Sequence, residues 1–194
     1  MTIAAIILAA GASARLGRPK QLLDWGGQPL VRVVAEEALR ATFDRVLVVV
    51  GGPAQHDVVA ALGGLPVQIV ANAAAASGQA SSLHAGVRAL PGGCLAFVVL
   101  LCDQPFVTAA LLDVLIGSWH TLPAPIIAPG YAGVRGNPVL FAATLAPALL
   151  AVQGDQGARA VIGADPTRVR LVPRTDLREQ EDIDTLAAYE QLRP

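Results

Sequence analysis

Lys20 is the only lysine among 14 Lys and Arg residues, and it closes a glycine-bearing stretch, "LAAGASARLGRPK" (8–20). Gly11 and Gly17 permit tight turns that present backbone N–H groups to an anion. Arg15 adds a planar fork and Lys20 a compact point charge. Together these groups suit the phosphates of a nucleoside triphosphate. The spacing is not that of a P-loop, because Gly17 is followed by Arg-Pro-Lys rather than Lys-Ser/Thr. It is not G-x-G-x-x-G either, so a nicotinamide or flavin site has no support. The structural alternative is a strand-to-helix turn carrying two solvated cations.

Asp103 stands just beyond the apolar run "LAFVVLL" (95–101). Thr108 is the better cap for the helix that follows, which leaves the Asp103 carboxylate available as a metal ligand. Magnesium held by one or two carboxylates plus substrate phosphates is the usual arrangement at such a strand end. A third feature is the acidic stretch "DLREQEDIDT" (176–185). Its default reading is a solvated helix start, with Asp182 and Asp184 in the first turn ahead of "LAAYEQL". That reading weakens if the segment folds back onto the Asp103 end. Gly78, Ser81 and Ser82 form a loop and helix N-terminus open to a ligand, or plain N-caps. Other catalytic sets are weak. His56, His84 and His120 are scattered without zinc spacing, and no G-x-S-x-G elbow exists.

These groups need a frame. Short apolar runs recur at 3–10, 45–50, 66–70, 95–101 and 124–129, apolar on both faces as central parallel strands require. Helical patterns lie between them at 29–41, 54–62, 82–90 and 108–119. Such alternation predicts an α/β fold, a mostly parallel Rossmann-like sheet with helices on both faces. Ligands bind at the carboxyl ends of the strands in such sheets, which should bring the Lys20 loop and Asp103 together. "GYAGVRGNP" (130–138) reads as a loop or hairpin, and no linker divides the 194 residues, so one domain is expected.

Composition narrows the class further. The chain is 54% hydrophobic and 15% charged with net charge −1, which argues against nucleic acid or an acidic membrane as a partner. No apolar stretch reaches bilayer length and no signal peptide is evident. Cys94 and Cys102 lie in or beside apolar sequence without a disulfide framework, so a cytoplasmic setting is expected.

The motifs together carry a resemblance. "LAAGASARLGRPK" resembles the nucleotide-binding signature of the MobA-like nucleotidyltransferases, L-A-[AG]-G-x-S-x-R-x-G-x-x-K. The likeness continues through "GQPLV" (27–31), "SGQASSLHAG" (77–86), "LLCDQPFV" (100–107), "GVRGNPVLF" (133–141), "GDQGAR" (154–159) and "EDIDTLAAY" (181–189). Within the family the chain most resembles the molybdenum cofactor cytidylyltransferases, whose guanylyl relatives usually have glycine where Ala10 stands. It departs at Leu186, where the family usually has proline, and at Asn137, where many relatives have histidine.

The resemblance implies the fold of the nucleotide-diphospho-sugar transferases. It also implies transfer of CMP from CTP to the terminal phosphate of a molybdopterin-type cofactor, with Mg2+. Leu8, Ala9, Ala10, Gly11, Ala12, Ser13, Gly17, Gly78 and Ser82 would hold the nucleotide. Arg15, Lys20 and Asp103 would be catalytic, and Asp103 with Asp182 would hold the metal, Asp184 being the fallback. Arg135, Gly136, Asn137, Asp155 and Arg159 would face the acceptor, within a region spanning about 125–175. A molybdenum hydroxylase or its chaperone would be the partner that receives the product. A guanylyl or sugar-phosphate nucleotidyltransferase, or a non-catalytic cofactor-delivery protein, are the competing readings.

Overall fold

Every second residue of the first apolar run faces the same side, and that alternation organises the molecule. In the computed structural model, which describes residues 2–11, 13 and 16–194, the run is strand β1 (Thr2–Ala9). Ile3, Ala5, Ile7 and Ala9 enter one buried cluster, whereas Ala4, Ile6 and Ala10 enter another on the opposite face. A strand buried on both faces has no solvent side, which is why its sequence is continuously apolar.

The chain continues through a small antiparallel hairpin, β2 (Asp24–Trp25) and β3 (Gln28–Pro29), into helix α1 (Leu30–Arg40). Strand β4 (Arg45–Gly51), helix α2 (Gln55–Ala61) and strand β5 (Gln68–Asn72) follow. Then come α3 (Gln79–Arg88), β6 (Cys94–Leu101) and α4 (Ala109–Thr121). The last third holds β7 (Ile126–Tyr131), β8 (Val134–Arg135), β9 (Val139–Ala142), α5 (Ala146–Leu150), α6 (Arg159–Ala164), β10 (Val169–Arg174) and α7 (Leu186–Leu192).

The main sheet has the order β10-β7-β9-β6-β1-β4-β5, with β8 paired to β7. Strands β6, β1, β4 and β5 are parallel, and β9 runs antiparallel to both its neighbours. The α/β expectation therefore holds, with helices on both faces. Helices α1, α2 and α4 cover one face of the sheet, and α3, α5 and α6 the other. The third and fifth strands lie at 68–72 and 126–131, two residues later than the runs suggest, because pairing with β4 and β10 sets their limits. The 130–138 stretch is a hairpin, with Ala132 and Gly133 at positive φ (49° and 83°) supplying a two-residue turn between β7 and β8.

This order contains one switch point. From β1 the chain builds outward to β4 and β5, then returns to β6 on the other side of β1. A crevice opens at such a reversal, outside the carboxyl ends of the two central strands. Leu8 and Leu101 are paired there, and the Cys102 amide donates to the Leu8 carbonyl at 3.3 Å. A third, smaller cluster of Leu23, Trp25, Leu30, Ile183 and Tyr189 pins the C-terminal segment beside it.

Candidate functional site at the switch point

The crevice is a cavity of about 350 Å3 lined by Ala10, Gly11, Lys20, Gly78, Ser82 and Asp103, among others. Loop geometry delivers the lysine. The buried Gln21 side chain donates to the carbonyls of Ala9 (3.0 Å) and Gly11 (2.8 Å), so the returning loop is tied to the strand it left. The Lys20 amide donates to the Ser13 hydroxyl at 2.9 Å. Gln21 was not marked by the sequence; its place next to the single lysine was the available signal.

Lys20 Nζ forms an ion pair with Asp103 and a second with Asp184 at 3.1 Å. Burial alone would pull the ammonium down, but the Asp103 and Asp184 carboxylates outweigh it and hold Lys20 above its ordinary value. The lone lysine thus bridges residues 83 and 164 positions away. The acidic stretch does fold back: the Ile183 amide donates to the Asp103 carbonyl at 2.8 Å, and Ile183 is fully buried. Asp182 and Asp184 are not helix residues, contrary to the expectation. Helix α7 begins at Leu186 with Thr185 as its cap, and the aspartates precede it because Ile183 is anchored in the third cluster. Burial first, then the neighbouring Asp184 and Asp103, raise the Asp182 carboxyl above the usual range.

The donor set fits a divalent cation. Asp103 Oδ1 is buried in the cavity wall without a hydrogen-bond partner among the described residues, and the Asp182 and Asp184 carboxylates are near enough to act on it electrostatically or through Lys20. No group of three or more His, Cys, Asp or Glu among the described residues forms a ready-made metal cage. Magnesium needs none where substrate phosphates complete its shell. Cys102 lines the same cavity, and burial pushes its thiol well above the ordinary value, which disfavours the thiolate.

The opposite wall is the start of α3. Ser82 is buried and accepts from Asn72 Nδ2 at 3.0 Å, and Ser81 accepts from the same amide at 2.9 Å. Neither serine caps the helix. Asn72, buried at the end of β5, thereby orients Ser82 toward the cavity, a role that sequence reading missed for want of any motif around it. Gly78 has φ +107°, and a Cβ there would meet Asp155 Oδ1 at 2.5 Å. Asp155, one of the expected acceptor residues, accepts from the Gln79 amide at 3.3 Å and lines the Lys20 cavity. The favourable helix N-terminus draws a carboxylate.

Leu8, Gln79 and Leu101 also line an adjoining pocket, whose other walls include Arg135, Asn137 and Arg159. Its floor is apolar, with Leu83, Val99, Val139 and Phe141. Burial and then the nearby Arg159 lower the Arg135 guanidinium below its ordinary value. Gly136, between Arg135 and Asn137, turns against the Tyr131 ring, where a Cβ would lie 2.5 Å from Cε2. Four of the five expected acceptor residues therefore share one locality. Of the expected nucleotide residues, Leu8, Ala10, Gly11, Gly78 and Ser82 line the main cavity. Ala9 is buried in the core, and Ser13 and Gly17 line a neighbouring hollow behind the loop. Ala12 and Arg15 lie outside the described residues.

Known proteins share both sequence and fold with this chain. The MobA-like NTP transferase domain matches residues 5–169. Nicotine blue oxidoreductase of Paenarthrobacter nicotinovorans is 36% identical over 194 residues, covering 95% of this chain and 93% of that protein. A probable molybdenum cofactor guanylyltransferase of Pelotomaculum thermopropionicum is 34% identical over 107 residues, 55% of this chain and 47% of its own. Rv0371c of Mycobacterium tuberculosis H37Rv superposes with a TM-score of 0.88 at 28% identity, covering 100% of this chain and 97% of that one. Its complex with manganese superposes with a TM-score of 0.84 at 26% identity, covering 100% and 98%.

Proposed function

The chain belongs to the MobA-like NTP transferase family, and on that premise we propose that it transfers CMP from CTP to the terminal phosphate of a molybdopterin-type cofactor, releasing pyrophosphate. The observation that carries the reading is the Lys20 bridge to Asp103 and Asp184 at the switch-point cavity, which Lys20 and Asp103 line. A core gains little from such a cluster. A reaction between two polyanions gains a great deal, because it needs fixed charge where the leaving group departs.

The acceptor phosphate is already the nucleophile, so no general base is required. One of its oxygens attacks the α-phosphorus of CTP, and the bond from that phosphorus to the β-phosphate oxygen breaks. Gly11 and the loop backbone would hold the β- and γ-phosphates, with Lys20 and Arg15 offsetting charge on the departing pyrophosphate. Gly78 and Ser82 would border the nucleotide. Arg135 and Arg159 would orient the acceptor phosphate, while the apolar floor takes its ring system. Asp103, with Asp182 or Asp184, would hold Mg2+. That ion, when bound, supplies positive charge shared between the phosphates.

The name of the Paenarthrobacter relative raises a redox reading, and a fold alone does not decide between the two. The deciding measurement is pyrophosphate release from CTP with magnesium and molybdopterin, run beside GTP, UTP and ATP. Release that depends on the acceptor and favours CTP supports the proposal. Binding alone is read by melting, where ligand at 100 times its Kd adds about 2.7 kcal/mol and raises Tm by about 5–10 °C. No release with any of the four, in protein that binds them, overturns the transferase reading. Release with GTP in preference overturns the cytidylyl one.

A further inference from the structure

The acidic stretch also contributes a buried carboxylate that nucleotidyl transfer leaves unused. Glu179 is only 4% exposed, and both of its oxygens are engaged. Arg174 donates from Nη2 to Oε1 at 2.6 Å and from Nε to Oε2 at 3.1 Å. The Tyr131 hydroxyl donates to Oε2 at 2.8 Å. Burial, then Glu179 itself, hold the Tyr131 proton in place well above the ordinary phenol range, so the donor persists.

Each end of this network leads to a different part of the cleft. Tyr131 ends β7, and its ring is the wall against which Gly136 turns, at a distance that excludes any Cβ. The Gly136 amide donates to the Pro129 carbonyl at 2.8 Å, which fixes the turn to the same strand. Glu179 lies four residues before Ile183, whose amide is bonded to the Asp103 carbonyl. Asp182 and Asp184 flank that anchor. One side chain therefore joins the Arg135–Asn137 loop to the aspartate segment, two regions with no sequence proximity.

We propose that Glu179 is a positioning residue that, through Tyr131 and Arg174, locks the Arg135–Asn137 loop and the Asp182–Asp184 segment into one unit. The two halves of the cleft are then set together: loosening the carboxylate loosens both. A surface ion pair would not behave so, because water replaces its partners; a buried carboxylate with two fixed donors leaves a lasting defect when either is removed. Only the kinetic arm of the test rests on the transferase reading.

The experiment is hydrogen exchange of the full chain and of its Tyr131→Phe and Glu179→Gln variants, followed by peptide. In Tyr131→Phe the ring still walls Gly136, so only the hydrogen bond to Glu179 is lost. Exchange is expected to quicken by about tenfold in both the 133–142 and the 179–186 peptides, with β1 peptides unchanged. With CTP and molybdopterin, the KM for acceptor and the KM for CTP should each rise about fivefold, since both halves of the cleft loosen. Acceleration in one segment only, or in neither, overturns the proposal. Uniform acceleration that includes β1 overturns it as well, since that is a general loss of stability. If Glu179→Gln does not fold, Tyr131→Phe decides alone. A wild-type protein without pyrophosphate release defeats the transferase reading, and the exchange result still decides the clamp.

Discussion

The two compartments of the cleft differ in how charge is handled. On the β1 side, the Lys20 ammonium sits among carboxylates, and the nearby amides and hydroxyls are bonded within the protein through Gln21, Ser13 and Asn72. On the β9 side, Arg135 and Arg159 line one pocket with an apolar floor, and burial, then the nearby Arg159, makes the Arg135 charge more costly. Among the described residues the first compartment holds more carboxylate than ammonium, an excess that a divalent cation would offset. The second carries surplus positive charge that an anionic acceptor would offset. The difference follows from the architecture. The β1 side uses the carboxyl ends of parallel strands at the switch point, whereas the β9 side is built from a hairpin and an antiparallel strand inserted into the sheet.

The comparison is tested most severely at Asp103. Asp103→Asn should lower kcat/KM by about a thousandfold and weaken magnesium dependence, because an amide cannot hold the ion against water. Steady-state rates across a magnesium titration check this, and unchanged magnesium dependence would remove the metal assignment. Run beside it, Asp182→Asn and Asp184→Asn show which carboxylate is the second ligand. Next in size is Lys20→Ala, expected to cost about a hundredfold in turnover with a melting curve close to wild type. A wild-type rate in that variant would make the single lysine an accident of composition.

The acceptor compartment should respond differently. Arg159→Ala is expected to raise the KM for acceptor by about tenfold, the effect of one charge-assisted contact, with the KM for CTP unaltered. If instead the CTP constant moves, the division of the cleft into two compartments is wrong. The smallest effect belongs to Ala10→Gly. Ala10 lines the Lys20 cavity, and overpacking a tight site costs about 1–3 kcal/mol, so on the proposed function removing its methyl should relax the preference for CTP over GTP by about tenfold. Comparing kcat/KM for the two nucleotides in both proteins measures it. An unaltered ratio would place base selection elsewhere in the cavity.

Much of the Lys20 cavity was legible in the sequence because its determinants are local. Glycine-bearing turns, a lone lysine and a carboxylate beyond a strand each announce themselves within a few residues. The position of Asp155 was not legible for the opposite reason. Its segment reads with the acceptor motifs, yet the N-terminus of α3 attracts its carboxylate across 76 positions. Gln21, Asn72 and Glu179 went unread because a buried polar side chain is defined by its distant partners, which no spacing reveals.

The sequence by itself determined the alternation of two-faced strands with helices and the placing of chemical groups at strand ends. Those depend on side-chain period and backbone preference, which act over a few residues. Only the tertiary structure decided that the acidic stretch leaves its helix start and closes on Lys20. Ile183 and Tyr189 bury against Leu23, Trp25 and Leu30, and that apolar contact carries Asp184 to the ammonium. Hydrophobic burial has no direction and no memory of chain separation, so which distant segment it recruits is settled by shape alone.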